Sequence, residues 1–325
     1  MAHAPSSSAV RLPAWLRLAV SLLLLYILLQ RVDWSRLVSM VHRARWEWIF
    51  PAVGLLALGF WLSARRWQAV LHDLGLAEPL GRLLYWNLMA FFWSQFLPTT
   101  VGGDGFRIWR LLGRYPNRKT AALASVFLDR LYGYLALLSV HGLLLPWTAS
   151  LWWRQPWLKG MEGALAAGLM VVVGLIWGRG RWSAWFSRAP AWLQPWLTRA
   201  EAGLRMLWHR SPQTVMRAWV YSALFVLGNG LMLWCYLRTW TASVPLLPVM
   251  YASTVAAILG ALPITLNGLG LTEAVLVMAL TPAGLSPESI LLAAFLHRAV
   301  NLSVGLLGGA VYALEGLLPT HAQSR

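Results

Sequence analysis

The chain has 325 residues, of which 58% are hydrophobic and only 12% are charged. Because about a quarter of the residues of an ordinary soluble domain are charged, this composition argues against a soluble enzyme with a single core. The net charge is +16, but the basic residues lie between apolar runs of bilayer-spanning length, which is typical of membrane topology and argues against nucleic-acid binding.

Six apolar segments are long enough to span a bilayer as helices, which takes about 20 residues. They cover residues 12–30, 46–64, 120–145, 161–178, 215–237 and 288–316. No small-residue cleavage site follows the first segment, so we expect it to stay attached as a spanning helix. The sequence therefore predicts an all-α polytopic membrane protein with one transmembrane domain over residues 1–325.

Two further apolar stretches, residues 84–113 and 247–281, are interrupted near their middle by Pro, Gly and polar residues. The first break runs from Pro98 to Gly105 and the second from Pro263 to Gly270. Proline has no amide hydrogen and cannot continue a helix, and glycine permits backbone angles that are closed to other residues. We predict that each stretch is a re-entrant hairpin of two half-helices. If both stretches crossed fully, the protein would have eight transmembrane segments.

The two breaks resemble copies of one unit. When the second is laid over the first, the matching pairs are Pro263 with Pro98, Gly268 with Gly103 and Gly270 with Gly105. Downstream, Phe295-Leu296-His297-Arg298 resembles Phe127-Leu128-Asp129-Arg130. The sequence predicts an inverted internal repeat, with repeat one at about 12–146 and repeat two at about 161–316. The arginine-rich stretch at about 179–212 is predicted to be a cytoplasmic linker that lies in the membrane interface.

The distribution of positive charge indicates a cytoplasmic N-terminus, because cytoplasmic loops of membrane proteins are enriched in Lys and Arg. This orientation places the basic cluster at 114–119 and the stretch at 179–217 on the cytoplasmic side. The loop at 31–45, which also contains several arginines, is an exception. Full crossing of both hairpins would move the 114–119 cluster outside, so re-entrance fits better.

Six charged residues fall inside apolar surroundings and are the best functional candidates: Asp104, Arg107, Asp129, Arg130, Glu273 and Arg298. An ionised side chain in hydrocarbon costs at least about 2.5–3.5 kcal/mol, so each must face a partner or a hydrated cavity. The glycine-rich breaks offer open backbone amides and the positive end of a half-helix, which together favour an anion such as a phosphate group. Alternatively, Asp104 or Asp129 with Arg130, and Glu273 with Arg298, are structural ion pairs.

Other chemistry-bearing patterns are weak. The histidines have no metal-ligand spacing and there is one cysteine, so we expect no metal and no cofactor. His141 lies next to Gly142 in an apolar segment and is predicted to be a packed core residue. Gly305, Gly308 and Gly309 are predicted to allow close packing of two helices.

Taken together, the two breaks, the Asp129-Arg130 pair, the Asn267-Gly268-Leu269-Gly270 run with Glu273, and Arg298 resemble the lysylphosphatidylglycerol synthase transmembrane-region family. This flippase-like family includes the bacterial multiple peptide resistance factor. The resemblance covers nearly the whole chain. It implies a lipid-translocating domain in a bacterial or archaeal plasma membrane. Because the chain ends soon after Leu314, we expect it to lack the soluble synthase domain of that factor and not to be an enzyme.

The sequence thus favours a transporter that moves an anionic phospholipid, or a lipid-linked phosphate, between leaflets through a central hydrated cavity. Arg130 and Arg298 would pair with the phosphate, with Arg107 in a lesser role. Asp104 and Glu273 would orient the arginines or exchange a proton. The remaining candidate substrate-binding residues are Asp129, Asn267, Gly103, Gly105, Gly268 and Gly270. The alternatives are an integral-membrane headgroup transferase and a scaffold for a lipid-modifying enzyme. Expected partners are membrane lipids, with a homo-oligomer or a lipid-synthesis enzyme also compatible with the sequence.

Overall fold

The computed structural model describes residues 14–30, 33–96, 102–153, 155–177, 194, 210–262 and 264–317. These residues form helices, short 3-10 turns and connecting loops, without a strand. The helices are α1 (Ala14–Leu29), α2 (Trp34–His42), α3 (Ile49–Asp73), α4 (Leu80–Phe96), α5 (Gly102–Arg114), α6 (Lys119–Leu144), α7 (Ala149–Trp152), α8 (Pro156–Trp177), α9 (Pro212–Trp240), α10 (Leu246–Gly260), α11 (Leu271–Leu280) and α12 (Pro287–Leu317).

Several of these helices are long and apolar enough to cross a membrane. Within the described ranges, five helical segments qualify: Trp46–Asp73, Lys119–Leu144, Pro212–Trp240, Leu266–Ala283 and Pro287–Leu314. A sixth span is possible if α1 and α2 form one, although they are bent by 84° relative to each other. The prediction of an all-α polytopic membrane protein is confirmed.

Two of the predicted boundaries change in the structure. The span predicted at 46–64 continues as α3 to Asp73, past the two arginines that suggested its end. The predicted loop at 31–45 contains α2, whose first turn is capped by Asp33 through hydrogen bonds from the backbone N–H groups of Ser35 and Arg36. Hydrogen bonds to the Asp33 carboxyl lower its pKa below the ordinary value. The largest contribution comes from the Ser35 hydroxyl and the next from the Arg36 backbone N–H. The interfacial linker predicted at 179–212 lies largely outside the described residues.

The same order of helices occurs twice along the chain. In the first half, α3 is followed by the shorter α4 and α5 and then by the long α6; in the second, α9 is followed by α10, α11 and α12. Helix α4 packs against α5, and α10 packs against α11. At about 1.5 Å per residue, the ten residues of α11 span roughly half of a hydrocarbon core that is about 30 Å thick. This length agrees with a half-helix, although the longer segment Leu266–Ala283 meets the length criterion for a span.

The two halves pack against each other through two pairs of helices. Helix α3 packs along α9, and α12 packs against α4. At the second contact, Gly308 lies so close to α4 that an added Cβ would be 2.9 Å from the carbonyl oxygen of Leu88, and Gly305 and Gly309 face Phe91 and Phe92. The predicted role of this glycine group in close helix packing is confirmed. These contacts leave a central space between the halves.

Candidate functional site

A cavity of about 580 Å³ lies between the two halves. Its lining comes from α3, α4, α5 and α6 in the first half, and from α9, α10, the second break, α11 and α12 in the second half. Part of the wall is apolar, with residues such as Leu55, Phe91, Leu137 and Phe225, and part is polar and charged. A cavity with both kinds of wall can hold a molecule that is itself amphipathic.

The second break contacts the end of α4 beside this cavity. The side-chain amide of Asn267, in the second break, donates to Oε1 of Gln95, near the end of α4, at 3.3 Å. Gly103, Asp104, Asn267 and Gly268 line the cavity. Pro98 and Pro263, which prompted the prediction of two broken helices, lie outside the described residues.

The backbone of the two breaks differs. Asn267, Gly268 and Gly270 have positive φ angles of 49°, 70° and 78°, so the second break has the left-handed backbone that its glycines permit. By contrast, Gly103 and Gly105 lie within the first turns of helix α5. The left-handed backbone that glycine permits is therefore found at the second break, whereas Gly103 and Gly105 are helical.

Three arginines and two carboxylates of the first half form a group that we call the first arginine cluster: Arg66, Asp104, Arg107, Asp129 and Arg130. The Asp129 side chain is fully buried, and its carboxylate accepts from Arg66 Nε at 2.6 Å, from Arg66 Nη2 at 3.0 Å and from Arg107 Nη1 at 3.1 Å. The Arg107 guanidinium also lies 5.0 Å from the ring centroid of Trp67. Asp129 thus pairs with two cations that the apolar core could not otherwise hold, and the three groups together keep a net charge of +1.

Arg130 has a different environment within this cluster. Its Nε and Nη2 groups donate to the two carboxylate oxygens of Asp104 at 2.8 and 2.9 Å. The Arg130 side chain is 46% exposed, whereas that of Asp104 is 17% exposed. No described residue accepts a hydrogen bond from Arg130 Nη1. The two-point contact fixes the plane of the guanidinium and leaves one edge toward open space.

The second arginine cluster consists of Arg298, Glu273, Thr272 and Asn267. Arg298 donates through Nε to Glu273 Oε1, through Nη2 to Glu273 Oε2 at 3.2 Å, and through Nη2 to the Thr272 hydroxyl at 2.9 Å. Its Nη1 group reaches the Asn267 carbonyl at 3.5 Å. Glu273 Oε2 also accepts from the backbone N–H of Gly270 at 2.7 Å. The hydrogen bonds of this cluster therefore connect the left-handed backbone of the second break to helix α12.

The two clusters share a plan that the sequence match suggested. Asp104 lies in the first turn of α5 and Glu273 in the first turn of α11, and each accepts from an arginine of the next long helix. A carboxylate is favoured there because the N-terminal end of a helix carries a partial positive charge. Each half-helix end that was predicted to attract an anion thus already faces a carboxylate of the protein.

Seven of the eleven predicted substrate-binding residues line the cavity: Gly103, Asp104, Arg107, Asp129, Arg130, Asn267 and Gly268. The other four, Gly105, Gly270, Glu273 and Arg298, are not among its lining residues. Arg298 is connected to the cavity wall through Thr272 and Asn267. The structure therefore brings most of the candidates of the first half to one surface and places the Arg298 pair behind it.

Sequence reasoning missed two groups of residues. Arg66 was assigned to a loop, although it is buried in α3 and holds Asp129. The second group joins three helices: His141 contacts Glu162 and Thr254, and the Tyr251 hydroxyl donates to Glu162. Glu162 was the available signal, because an acidic residue inside the apolar segment 161–178 needs a partner.

These features together agree with one family. Residues 14–309 match the family described as "Lysylphosphatidylglycerol synthase TM region". The chain belongs to this family. The matched region includes both breaks and both arginine clusters, so the cavity and its charged wall lie wholly within the family domain. No curated protein matches the chain.

Among the described residues of this family member, no group of three or more His, Cys, Asp and Glu is arranged to hold a metal ion. The one free cysteine, Cys235, is buried.

Proposed function

We propose that the protein moves an anionic lipid, whose headgroup carries phosphate, between the leaflets of a bacterial or archaeal plasma membrane. The observation that supports this proposal is the charge of the cavity wall, in which three arginines face two carboxylates. The unbalanced positive charge favours an anion, and a phosphate matches the fork geometry of a guanidinium. The apolar part of the wall suits the start of the acyl or isoprenoid chains.

Within this wall, Arg130 is the proposed headgroup contact. Arg66 and Arg107 are engaged with the buried carboxylate of Asp129, and their side chains are 11% and 12% exposed. Arg130 is more exposed, and its Nη1 edge has no partner among the described residues. Asp104 is proposed to orient Arg130 and to keep it ready for a phosphate oxygen. Arg298 is proposed to shape the second break rather than to bind the phosphate directly.

Transport would follow from motion of one half of the molecule against the other. Inverted repeats that meet at a central site commonly open the site to the two sides in turn. The repeated order of long and short helices, and the Gln95–Asn267 contact between α4 of the first half and the break of the second half, support such a motion. The cytoplasmic position of the N-terminus remains part of this proposal, because it rests on the distribution of positive charge in the sequence.

We also propose that the protein leaves the lipid chemically unchanged. A headgroup transferase would need Asp104 and Glu273 as acid and base. Both carboxylates instead accept two contacts from an arginine and are therefore already engaged in ion pairs within the protein. No contact among the described residues favours the transferase or the scaffold over transport.

The test is crossing of a labelled lipid in proteoliposomes. Purified protein is reconstituted in phosphatidylcholine vesicles that contain a trace of fluorescent phosphatidylglycerol, and a membrane-impermeant quencher reports the fraction in each leaflet. Loss of a charge-assisted contact of about 1.5–3 kcal/mol in Arg130→Ala should slow crossing by roughly tenfold to a hundredfold. The matched control is Arg82→Ala, which also removes an ion-paired, 40% exposed arginine but lies outside the cavity.

Chromatography of the same vesicles separates transport from transfer. Unchanged lipid in both leaflets supports the proposal. A new lipid species supports an enzyme, and equal crossing rates in folded Arg130→Ala and wild-type protein would contradict the assignment of the headgroup site.

A further inference from the structure

The buried group around Glu162 is separate from both arginine clusters and has no role in the transport step described above. It comprises His141 on α6, Glu162 on α8, and Tyr251 and Thr254 on α10, and each of the four residues is at least nine-tenths buried. Glu162 accepts from the Tyr251 hydroxyl at 2.5 Å, and its other oxygen lies 2.9 Å from His141 Nε2. We call these residues the histidine–glutamate group.

The outer end of this group opens on the cavity. His141 Nδ1 lies 2.8 Å from the Thr254 hydroxyl oxygen, and Thr254 is a lining residue of the cavity. The same hydroxyl oxygen lies 2.7 Å from the carbonyl oxygen of Tyr251. The Thr254 hydrogen therefore has two acceptors within reach, one on the imidazole and one on the backbone.

These two acceptors give the group two complete hydrogen-bonding states that differ by one proton. In the first, Thr254 donates to Nδ1 of neutral His141, and Nε2–H donates to the Glu162 carboxylate, so the group carries a charge of −1. In the second, Nδ1–H donates to Thr254, the Thr254 hydroxyl donates to the Tyr251 carbonyl, and one proton lies between Nε2 and Glu162. The second state is neutral, and no polar atom of the group loses its partner in either state.

A hydronium ion that enters the cavity from the aqueous phase can convert the first state into the second. It gives a proton to the Thr254 oxygen and becomes water, while the original Thr254 hydrogen passes to His141 Nδ1, and the new hydroxyl then rotates to the Tyr251 carbonyl. The charge changes from −1 to zero and one proton leaves the aqueous phase. Among the described contacts, the titratable group that faces His141 and Glu162 from α10 is Tyr251, and the remaining contact, Thr254, does not titrate.

We propose that the histidine–glutamate group binds the proton that accompanies the headgroup through the cavity. This inference rests on the proposed function. An anionic headgroup in the cavity repels the charge of −1 and so favours the neutral, protonated group. By linkage, a bound proton favours the headgroup to the same extent. One negative charge and one proton then cross together without net charge.

The first part of the test imposes a pH difference across the vesicles, with the membrane potential clamped by potassium and valinomycin. With one proton per phosphatidylglycerol, the distribution of the labelled lipid between leaflets should change about tenfold for each unit of pH difference. Glu162→Gln keeps the size of the side chain but removes the charge. It should lose this response and retain crossing in the absence of a gradient.

The matched control is Glu288→Gln, because Glu288 is also buried (6% exposed, against 5% for Glu162) and does not line the cavity. It should respond to the gradient like the wild type. If Glu162→Gln does not fold, Thr254→Val removes the hydroxyl that carries the proton, with the same expected loss of response. An unchanged response in either folded variant overturns the inference and leaves only a structural role for the group.

The second part reads proton binding without transport, by infrared difference spectra of the purified protein between about pH 5 and pH 8, the range in which histidine ordinarily exchanges protons. The wild type should show imidazole and carboxyl bands that change with pH and that are lost in Glu162→Gln. If these bands are present but no lipid crosses, the proposed function fails while the proton site stands. If the bands are absent, the inference fails whatever the rate of crossing.

Discussion

The two arginine clusters occupy matching positions in the two halves of the molecule but have different surroundings. At the matching position of the four-residue motif, the first half has Asp129, which binds Arg66 and Arg107, and the second half has His297, whose Nε2 accepts from Asn301. The first cluster therefore has three cations and two anions, and the second has one of each. The first cluster lines the cavity, whereas the Glu273–Arg298 pair lies behind the second break.

This difference indicates a division of labour between the halves. In the second half, the ion pair stabilises the backbone of the second break, because Glu273 also accepts from Gly270 N–H and Arg298 also reaches the Asn267 carbonyl. In the first half, Asp104 makes no described contact with the backbone of its break, and its partner Arg130 is 46% exposed. One cluster stabilises an irregular backbone, and the other presents charge to the cavity.

The largest expected difference in stability is between a variant of Asp129 and a variant of His297. Asp129→Asn leaves Arg66 and Arg107 buried without a counter-charge, which should lower the free energy of unfolding by about 3–5 kcal/mol. His297→Asn removes a neutral hydrogen bond and should lower it by no more than about 1.5 kcal/mol. Denaturant titration of both variants in the same detergent, followed by tryptophan fluorescence, measures the difference. An equal loss of unfolding free energy in the two variants would show that Asp129 and His297 contribute equally to stability, which would contradict the account.

A smaller difference in stability is expected between variants of Glu273 and Asp104, the acidic residues of the two arginine–carboxylate pairs. The Glu273 side chain is 1% exposed and makes charge-assisted bonds, so Glu273→Gln should cost about 1.5–3 kcal/mol of stability. Asp104 is more exposed to the cavity, and Asp104→Asn should cost about 1 kcal/mol or less. The same denaturant titration ranks them. A greater loss of stability in Asp104→Asn would contradict the assignment of the structural role to the second cluster.

The third comparison concerns the matching glycines, for which the expected loss of stability in the destabilised variant is the smallest of the three. Gly270 has a φ of 78°, and an added Cβ would lie 2.8 Å from the Ser21 carbonyl oxygen, so Gly270→Ala should cost at least about 1–2 kcal/mol. Gly105 is helical with open space at its Cβ position, and Gly105→Ala should stabilise by up to about 1 kcal/mol. Melting temperatures that shift in opposite directions would confirm the contrast. A shift in the same direction would show that the two breaks have similar backbones.

The sequence predicts the helical architecture because its main signals are local. Apolar runs of spanning length, and the Pro and Gly residues that interrupt two of them, act within a few residues along the chain. The boundary at 46–64 was wrong for a non-local reason. Arg65 and Arg66 end the apolar run, but Asp129, on another helix, neutralises Arg66 and lets α3 continue to Asp73.

The site was predictable in part for the same reason. A charged residue within an apolar run is recognisable from the sequence alone, so Asp104, Arg130, Glu273 and Arg298 could be named as candidates. The choice of partners depends on how helices pack, and the sequence left open whether Arg130 pairs with Asp104 or with Asp129. The group formed by His141, Glu162 and Tyr251 was missed because its members come from three helices that are far apart in the chain.

The central claim is that Arg130 binds a phosphate-bearing lipid in the cavity. Native mass spectrometry of protein extracted in a mild detergent tests it directly, with wild type, Arg130→Ala and Arg82→Ala compared at the same detergent concentration. The expected result is an anionic phospholipid or lipid-linked phosphate bound to the wild type and to Arg82→Ala, with its occupancy strongly reduced in Arg130→Ala. The same occupancy in all three proteins, or a bound lipid without phosphate, would contradict the claim.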